Sequence, residues 1–184
     1  MHSSMIKLFC LFSFAAIFIS CSSKNGGAWI NHKIPEGGFS VNMPADSKKT
    51  EKKEATAFGQ QTTHYLTWKP SSFAIDKFKL FQVSATNCPA NVVTDSNLLN
   101  LMLDSAIEMR KKDFTESEVI ESQSIELNGY IGRAFFYDAP KGNTLVTVKI
   151  CITSNRLYEL VVISKKNYST NTEMNNFFNS FLAN

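Results

Sequence analysis

No apolar run in this chain is long enough to cross a bilayer as a helix: the longest, Leu8 to Ile19, is about a dozen residues broken by Cys10 and Ser13, where a span needs roughly 20. Charge of one sign is also lacking. The 19 Lys and Arg face 16 Asp and Glu, and the formal net charge of +3 is scattered. A concentrated basic face is what neutralises phosphates, so nucleic acid is excluded as a partner. Glycine (8) and proline (5) are too few for a collagenous or low-complexity tract. Histidine numbers three, with no His-X-X-X-His or Cys/His spacing, so the sequence announces no metal site. There is no Gly-X-Ser-X-Gly elbow, no Gly-rich phosphate loop and no Ser-X-X-Lys of the penicillin-binding type. No cofactor is expected.

What is present starts at the N-terminus. Lys7 and the free amine precede the apolar run, which has the length of a secretory signal's h-region; Met5 is an alternative start to Met1. Phe18-Ile19-Ser20-Cys21 resembles the lipobox of bacterial lipoproteins, with Phe18 in place of the usual Leu. The resemblance implies that the Cys21 sulfur receives a diacylglyceryl group before residues 1–20 are removed. Residues 21–28 are small and polar, the composition of a flexible tether. Residues 29–184 then suit one domain with its own core. Ser22 replaces the Asp that resembles an inner-membrane retention signal, which favours the outer membrane. The absence of an acidic pair in Ser22-Ser23-Lys24-Asn25 favours its periplasmic side.

Two cysteines remain in the body, Cys88 and Cys151. An oxidising compartment permits a disulfide between them, and closing a loop of about 64 residues would stabilise by roughly 4 kcal/mol. The alternative is a pair of free thiols in apolar strands. Neither has a neighbouring His or a Cys-X-X-Cys partner to activate it.

Period-two alternation and turn residues predict short strands over 29–34 and 39–44, further ones near 55–60, 63–69 and 77–85, and a dense series from 119 to 164. The Lys48–Glu54 run of alternating charge reads as a solvated strand or loop surface. Phe78, Leu80 and Ala85 do not share one face, which implies a bulge or burial on both sides. After Thr94-Asp95-Ser96, apolar residues at Leu99, Met102, Leu103, Ala106 and Met109, widened by Leu98, Leu101 and Ile107, predict a helix over one sheet face. A second helix begins at Thr170-Asn171-Thr172-Glu173 and carries Met174, Phe177, Phe178, Phe181 and Leu182. The expected fold is α+β, a single antiparallel β-sheet flanked by helices in an α/β/α sandwich.

Leu127-Asn128-Gly129-Tyr130-Ile131-Gly132-Arg133, Asn155-Arg156-Leu157-Tyr158-Glu159-Leu160 and Asn176-Phe177-Phe178-Asn179-Ser180-Phe181 resemble the turn and packing signatures of the PsbP-like fold, named for an extrinsic photosystem II subunit and shared by bacterial lipoproteins. The resemblance covers residues 36–183. It implies a protein-binding module rather than an enzyme, without implying a photosystem partner.

His32 and His64 lie on separate elements and read as surface or strand-edge residues. Gly129-X-X-Gly132 reads as a hairpin turn and close strand approach rather than a phosphate loop. Glu116, Glu118 and Glu121 cluster after the central helix, where solvated charge is the plainer reading than acid and base work. Trp29, Trp68 and Phe73 sit beside turn-like segments and form a candidate partner surface; the alternative is that they cap the ends of the core. The sequence thus points to a lipoprotein held to the bilayer through acylated Cys21, binding an envelope protein or other component without catalysis. The rivals are an envelope hydrolase and a carrier of a small apolar ligand.

Overall fold

Apolar residues alternating between turn signals build the strands, and their registers sort them into two sheets. The computed structural model describes residues 28–56, 59–71, 77–88, 94–113, 118–139, 143–153, 155–168 and 171–184. Among them lie β1 (Trp29–Ile34), β2 (Phe39–Pro44), β3 (Lys48–Thr56), β4 (Gly59–Trp68), β5 (Phe78–Asn87), α1 (Ser96–Asp113), β6 (Glu118–Leu127), β7 (Tyr130–Ala139), β8 (Thr144–Ile152), β9 (Arg156–Lys165), α2 (Thr172–Ser180) and β10 (Leu182–Ala183). The smaller sheet has the order β1-β2-β10, and the larger the order β3-β4-β5-β9-β8-β7-β6. All pairings are antiparallel.

This corrects the expected single sheet flanked by helices. The protein is mostly strand, in sheets of three and seven strands, with two helices among the described residues. The cause is local. The Pro35–Gly38 turn folds β1 back onto β2 alone, with Ile34 opposite Phe39. At the other end, the apolar stripe assigned to one helix is shared between two elements. Phe181 is extended at φ −67° and ψ 130°, and Leu182 pairs with Ser40 of β2. Helical spacing cannot distinguish a stripe's last member from the residue that leaves the helix.

Both faces of the large sheet are covered. On one, Leu99, Leu103, Ala106 and Ile107 of α1 pack with Phe135 and Tyr137 of β7 and Val146, Val148 and Ile150 of β8. Leu101 and Met109, expected in that stripe, are exposed at 63% and 61%. On the other face, Phe39, Val41 and Met43 of β2 and Met174, Phe177 and Phe178 of α2 pack on Leu66, Phe81, Val83, Leu160 and Val162. Each such fully buried side chain contributes about 1.5–3 kcal/mol of transfer free energy. The register of β5 shifts between Phe78 and Leu80, so Phe78 and Phe81 face α2 while Leu80 packs toward α1.

Helix starts follow the expected caps with small changes. Asp95 Oδ1 accepts from the backbone N–H groups of Asn97 and Leu98 at 2.9 and 3.1 Å. Asn171 caps α2, its Oδ1 accepting from Met174 N at 2.9 Å. The last turn of α1 is tied down by Arg110, whose Nη2 lies 2.5 Å from Glu159 Oε2 and whose Nε donates to Oε1 at 3.0 Å. Ser84 Oγ donates to the same carboxylate at 3.3 Å.

Gly132 lies in β7 opposite Cys151, where a Cβ would be driven into the Ile150 carbonyl and the adjoining backbone of β8. Neither strand can yield without breaking ladder bonds. Gly132→Ala is therefore expected to destabilise the fold by roughly 2–3 kcal/mol, the upper range for overpacking. Urea unfolding of wild type and variant checks this, and equal midpoints would contradict it.

Candidate functional site

The three signatures read from the sequence converge on one place, the seam where the small sheet meets the large one. Tyr158 of β9 is 1% exposed, and its hydroxyl donates to the Gly38 carbonyl at 2.8 Å. The same carbonyl accepts from Asn184 N at 2.8 Å. Arg156 lies on the Gly38 Cα, where a methyl group would displace its guanidinium, and it hydrogen-bonds Tyr158. Desolvation raises the Tyr158 pKa, and the neighbouring Arg156 charge partly opposes that rise. The rings of Phe39, Tyr158 and Phe181 complete the seam, with centroids 5.2 Å apart for Tyr158 and Phe181 and 6.1 Å for each with Phe39.

The other two signatures feed the same seam. Asn128 and Gly129 form the β6–β7 turn with φ of 50° and 88°, and Asn128 Nδ2 donates to the Phe181 carbonyl. Ser180 Oγ donates to the Phe177 carbonyl at 2.9 Å and accepts from Asn42 N at 2.9 Å. One hydroxyl thus ends α2 and covers the β2 edge beyond the reach of β10. These polar groups are spent on joining elements, a structural use that their spacing alone does not reveal.

The remaining sequence-chosen residues lie apart. Cys21, Phe73 and Glu116 lie outside the described residues, as do the side chains of Glu118 and Glu121. Trp68 is buried at 6% exposure, its ring 5.8 Å from Phe81; Trp29 is half-buried, 5.3 Å from the same ring. Both therefore pack into the margin of the core, and Trp68 has little surface to offer a partner. His32 Nε2 lies 3.0 Å from the Pro44 carbonyl oxygen, whereas His64 Nδ1 lies 4.0 Å from Glu51 Oε2 on the β3–β4 hairpin. No group of three or more His, Cys, Asp or Glu positioned to hold a metal occurs among the described residues.

Cys88 and Cys151 are free thiols, the second of the two alternatives that the sequence leaves open. Cys151 is fully buried on the α2 face of the large sheet, whereas Cys88 packs toward the α1 face. A bridge would have to pass through the sheet. Burial raises both pKa values, that of Cys151 to about 12. A thiol so protonated is a poor nucleophile. Lys149 on the same face lies 4.4 Å from the Phe178 ring centroid, and burial lowers its pKa.

No family model matches the sequence, and no curated protein matches it. Among solved structures, the solution structure of cyanobacterial PsbP (CyanoP) from Synechocystis sp. PCC 6803 is similar, with a TM-score of 0.57 and 9% identity over 90% of this chain and 98% of that one. A structure from Bacteroides thetaiotaomicron VPI-5482 shares 15% identity over 86% of this chain and 48% of that chain, at a TM-score of 0.37. The first likeness shows a PsbP-like fold. The second carries no structural argument.

Two outcomes are expected. Tyr158→Phe leaves the Gly38 carbonyl with one donor and should cost about 1 kcal/mol in urea unfolding; no loss would remove the seam bond from the stability account. Cys151 has a folded pKa above its unfolded value, so its contribution is complete below about pH 9 and lost as pH rises toward about 12. Stability of Cys151→Ala should therefore fall less steeply with pH in that window than wild type. Parallel curves would refute the buried-thiol assignment, and a faster-migrating non-reduced band would restore the disulfide.

Proposed function

We propose that this chain is an envelope lipoprotein whose PsbP-like domain binds a protein or envelope component without catalysing a reaction. The observation that carries this reading is the short apolar run ending at Ser20-Cys21, placed only eight positions before β1 begins at Trp29. Acylation of Cys21 would supply the membrane attachment, durable with two or three chains where one holds marginally. The outer membrane, with the domain on the periplasmic side, is the location that Ser22 and its neighbours favour.

Two features support binding over the rival activities. The residues that resemble family signatures serve the seam between the sheets rather than meeting around a reactive atom. Between α2 and the large sheet, where an apolar cargo would lie, Phe81, Phe177 and Phe178 stack in succession with centroids 5.2 Å apart at each contact. The similarity to cyanobacterial PsbP supplies the scaffold for such a module and no partner.

Cells fed an alkyne analogue of palmitate are expected to label the wild-type protein and to leave Cys21→Ser unlabelled at precursor mass. Label retained on the variant would overturn the acylation reading. Crosslinking in native envelopes followed by mass spectrometry should recover one reproducible partner with the wild-type domain. A concentrated substrate turnover by the purified protein would overturn the non-catalytic reading.

A further inference from the structure

The domain begins beside a basic rim. The carbonyl of Ala28 accepts from Ala45 N at 2.9 Å, which fixes the start of β1 next to the connection that leads into β3. β1 is an outer strand of the small sheet, and its Ile30 is 45% exposed. Lys33 of β1 and Lys49 of β3 are exposed neighbours, with Lys49 Nζ donating to the Lys33 carbonyl at 3.4 Å. Lys48 lies opposite Thr67, and Lys69 follows β4 two residues beyond Thr67; both are exposed on the adjoining rim. Glu36, Asp46 and Glu51 are the exposed acidic groups nearest in sequence, and Glu51 lies toward Lys53. Farther along the hairpin the pattern changes, for Lys52 and Lys53 lie 2.5 and 3.3 Å from Glu54 and Glu51.

Chain geometry sets where this rim must be. The seven residues 22–28 reach at most about 25 Å at full extension, whatever their conformation. An anchor at Cys21 therefore holds the start of β1 within a few Debye lengths of the headgroups, each about 8–10 Å at physiological salt. Lysines at that distance are drawn to an anionic bilayer surface, and an exposed isoleucine beside a half-buried tryptophan suits the headgroup boundary.

We propose that the β1 edge and its rim, Ile30, Lys33, Lys48, Lys49 and Lys69, dock the domain on an anionic phospholipid surface. The inference rests on the acylation reading. Docking leaves the α1 face and the outer hairpin turned away from the bilayer, available to a partner. The contact is weak by itself and becomes effective because the tether makes it intramolecular.

The test uses the full acylated protein in vesicles of phosphatidylcholine alone or with roughly a quarter phosphatidylglycerol, a composition chosen for its surface potential. Lysine acetylation is read by mass spectrometry. Labelling of Lys33, Lys49, Lys48 and Lys69 is expected to fall about threefold or more on the anionic vesicles and to recover near 1 M salt, where the Debye length is about 3 Å. Lys53, several residues farther along β3, serves as the internal reference. Equal labelling on both vesicles would overturn the proposal. Protection in native envelopes but not on anionic vesicles would also overturn it, assigning the face to a protein. Should intact mass reveal no acyl group, the anchoring reading fails, and the same chain is then sedimented with the same vesicles. Salt-sensitive pelleting with the anionic ones alone would support docking, and no pelleting would overturn it.

Discussion

The structure depends on a single carbonyl. Gly38 O receives the Tyr158 hydroxyl from the large sheet and the Asn184 amide that follows β10. A peptide oxygen has two lone pairs, and here both are used across elements distant in sequence. Without this seam the β1–β2 hairpin would be a two-stranded ribbon, marginal alone in water. With it, β2 becomes the lid of a core containing Phe39, Val41 and Met43, all at 0% exposure. Arg156 and the Phe39–Tyr158–Phe181 rings shield the polar bond from water, raising its worth.

Much of this was legible from residues alone. Alternation marked β2, β7, β8 and β9, and Asp95 and the last-turn cations marked α1. The mixed facing of Phe78, Leu80 and Ala85 correctly implied the irregularity in β5. What stayed hidden was pairing over long range. Period two says which side of a strand is apolar and cannot say that β2 would join β1 and β10 rather than β3. Thr147 and Lys149 are the polar residues that alternate with Val146, Val148 and Ile150 in β8, yet Thr147 is 2% exposed and Lys149 lies against Phe178. The second layer above them comes from residues more than a hundred positions earlier and from the chain's final helix.

The candidate site shows the same division. Asn128, Arg156, Tyr158, Ser180 and Phe181 belong to turn and packing signatures, and the structure supplies their common purpose at the seam, while Gly132 serves the close approach of β7 and β8. Cysteine count could pair Cys88 with Cys151 only by arithmetic; the sheet places them on opposite faces. The Lys48–Glu54 run belongs to β3, an edge strand. Lysines along an edge resist pairing with another chain's strand, so its charge serves solubility even where it carries no chemistry.

The bond from Asn42 N to Ser180 Oγ closes a separation of 138 positions. A chain emerging from its N-terminal side first presents β2 with nothing to pair its second edge, and that edge stays open until α2 and β10 appear. Such non-local closure is slow, because loop entropy must be overcome before the contacts form. The hairpin at the N-terminal end of the fold is therefore completed last, once α2 and β10 are in place to cover the open edge of β2.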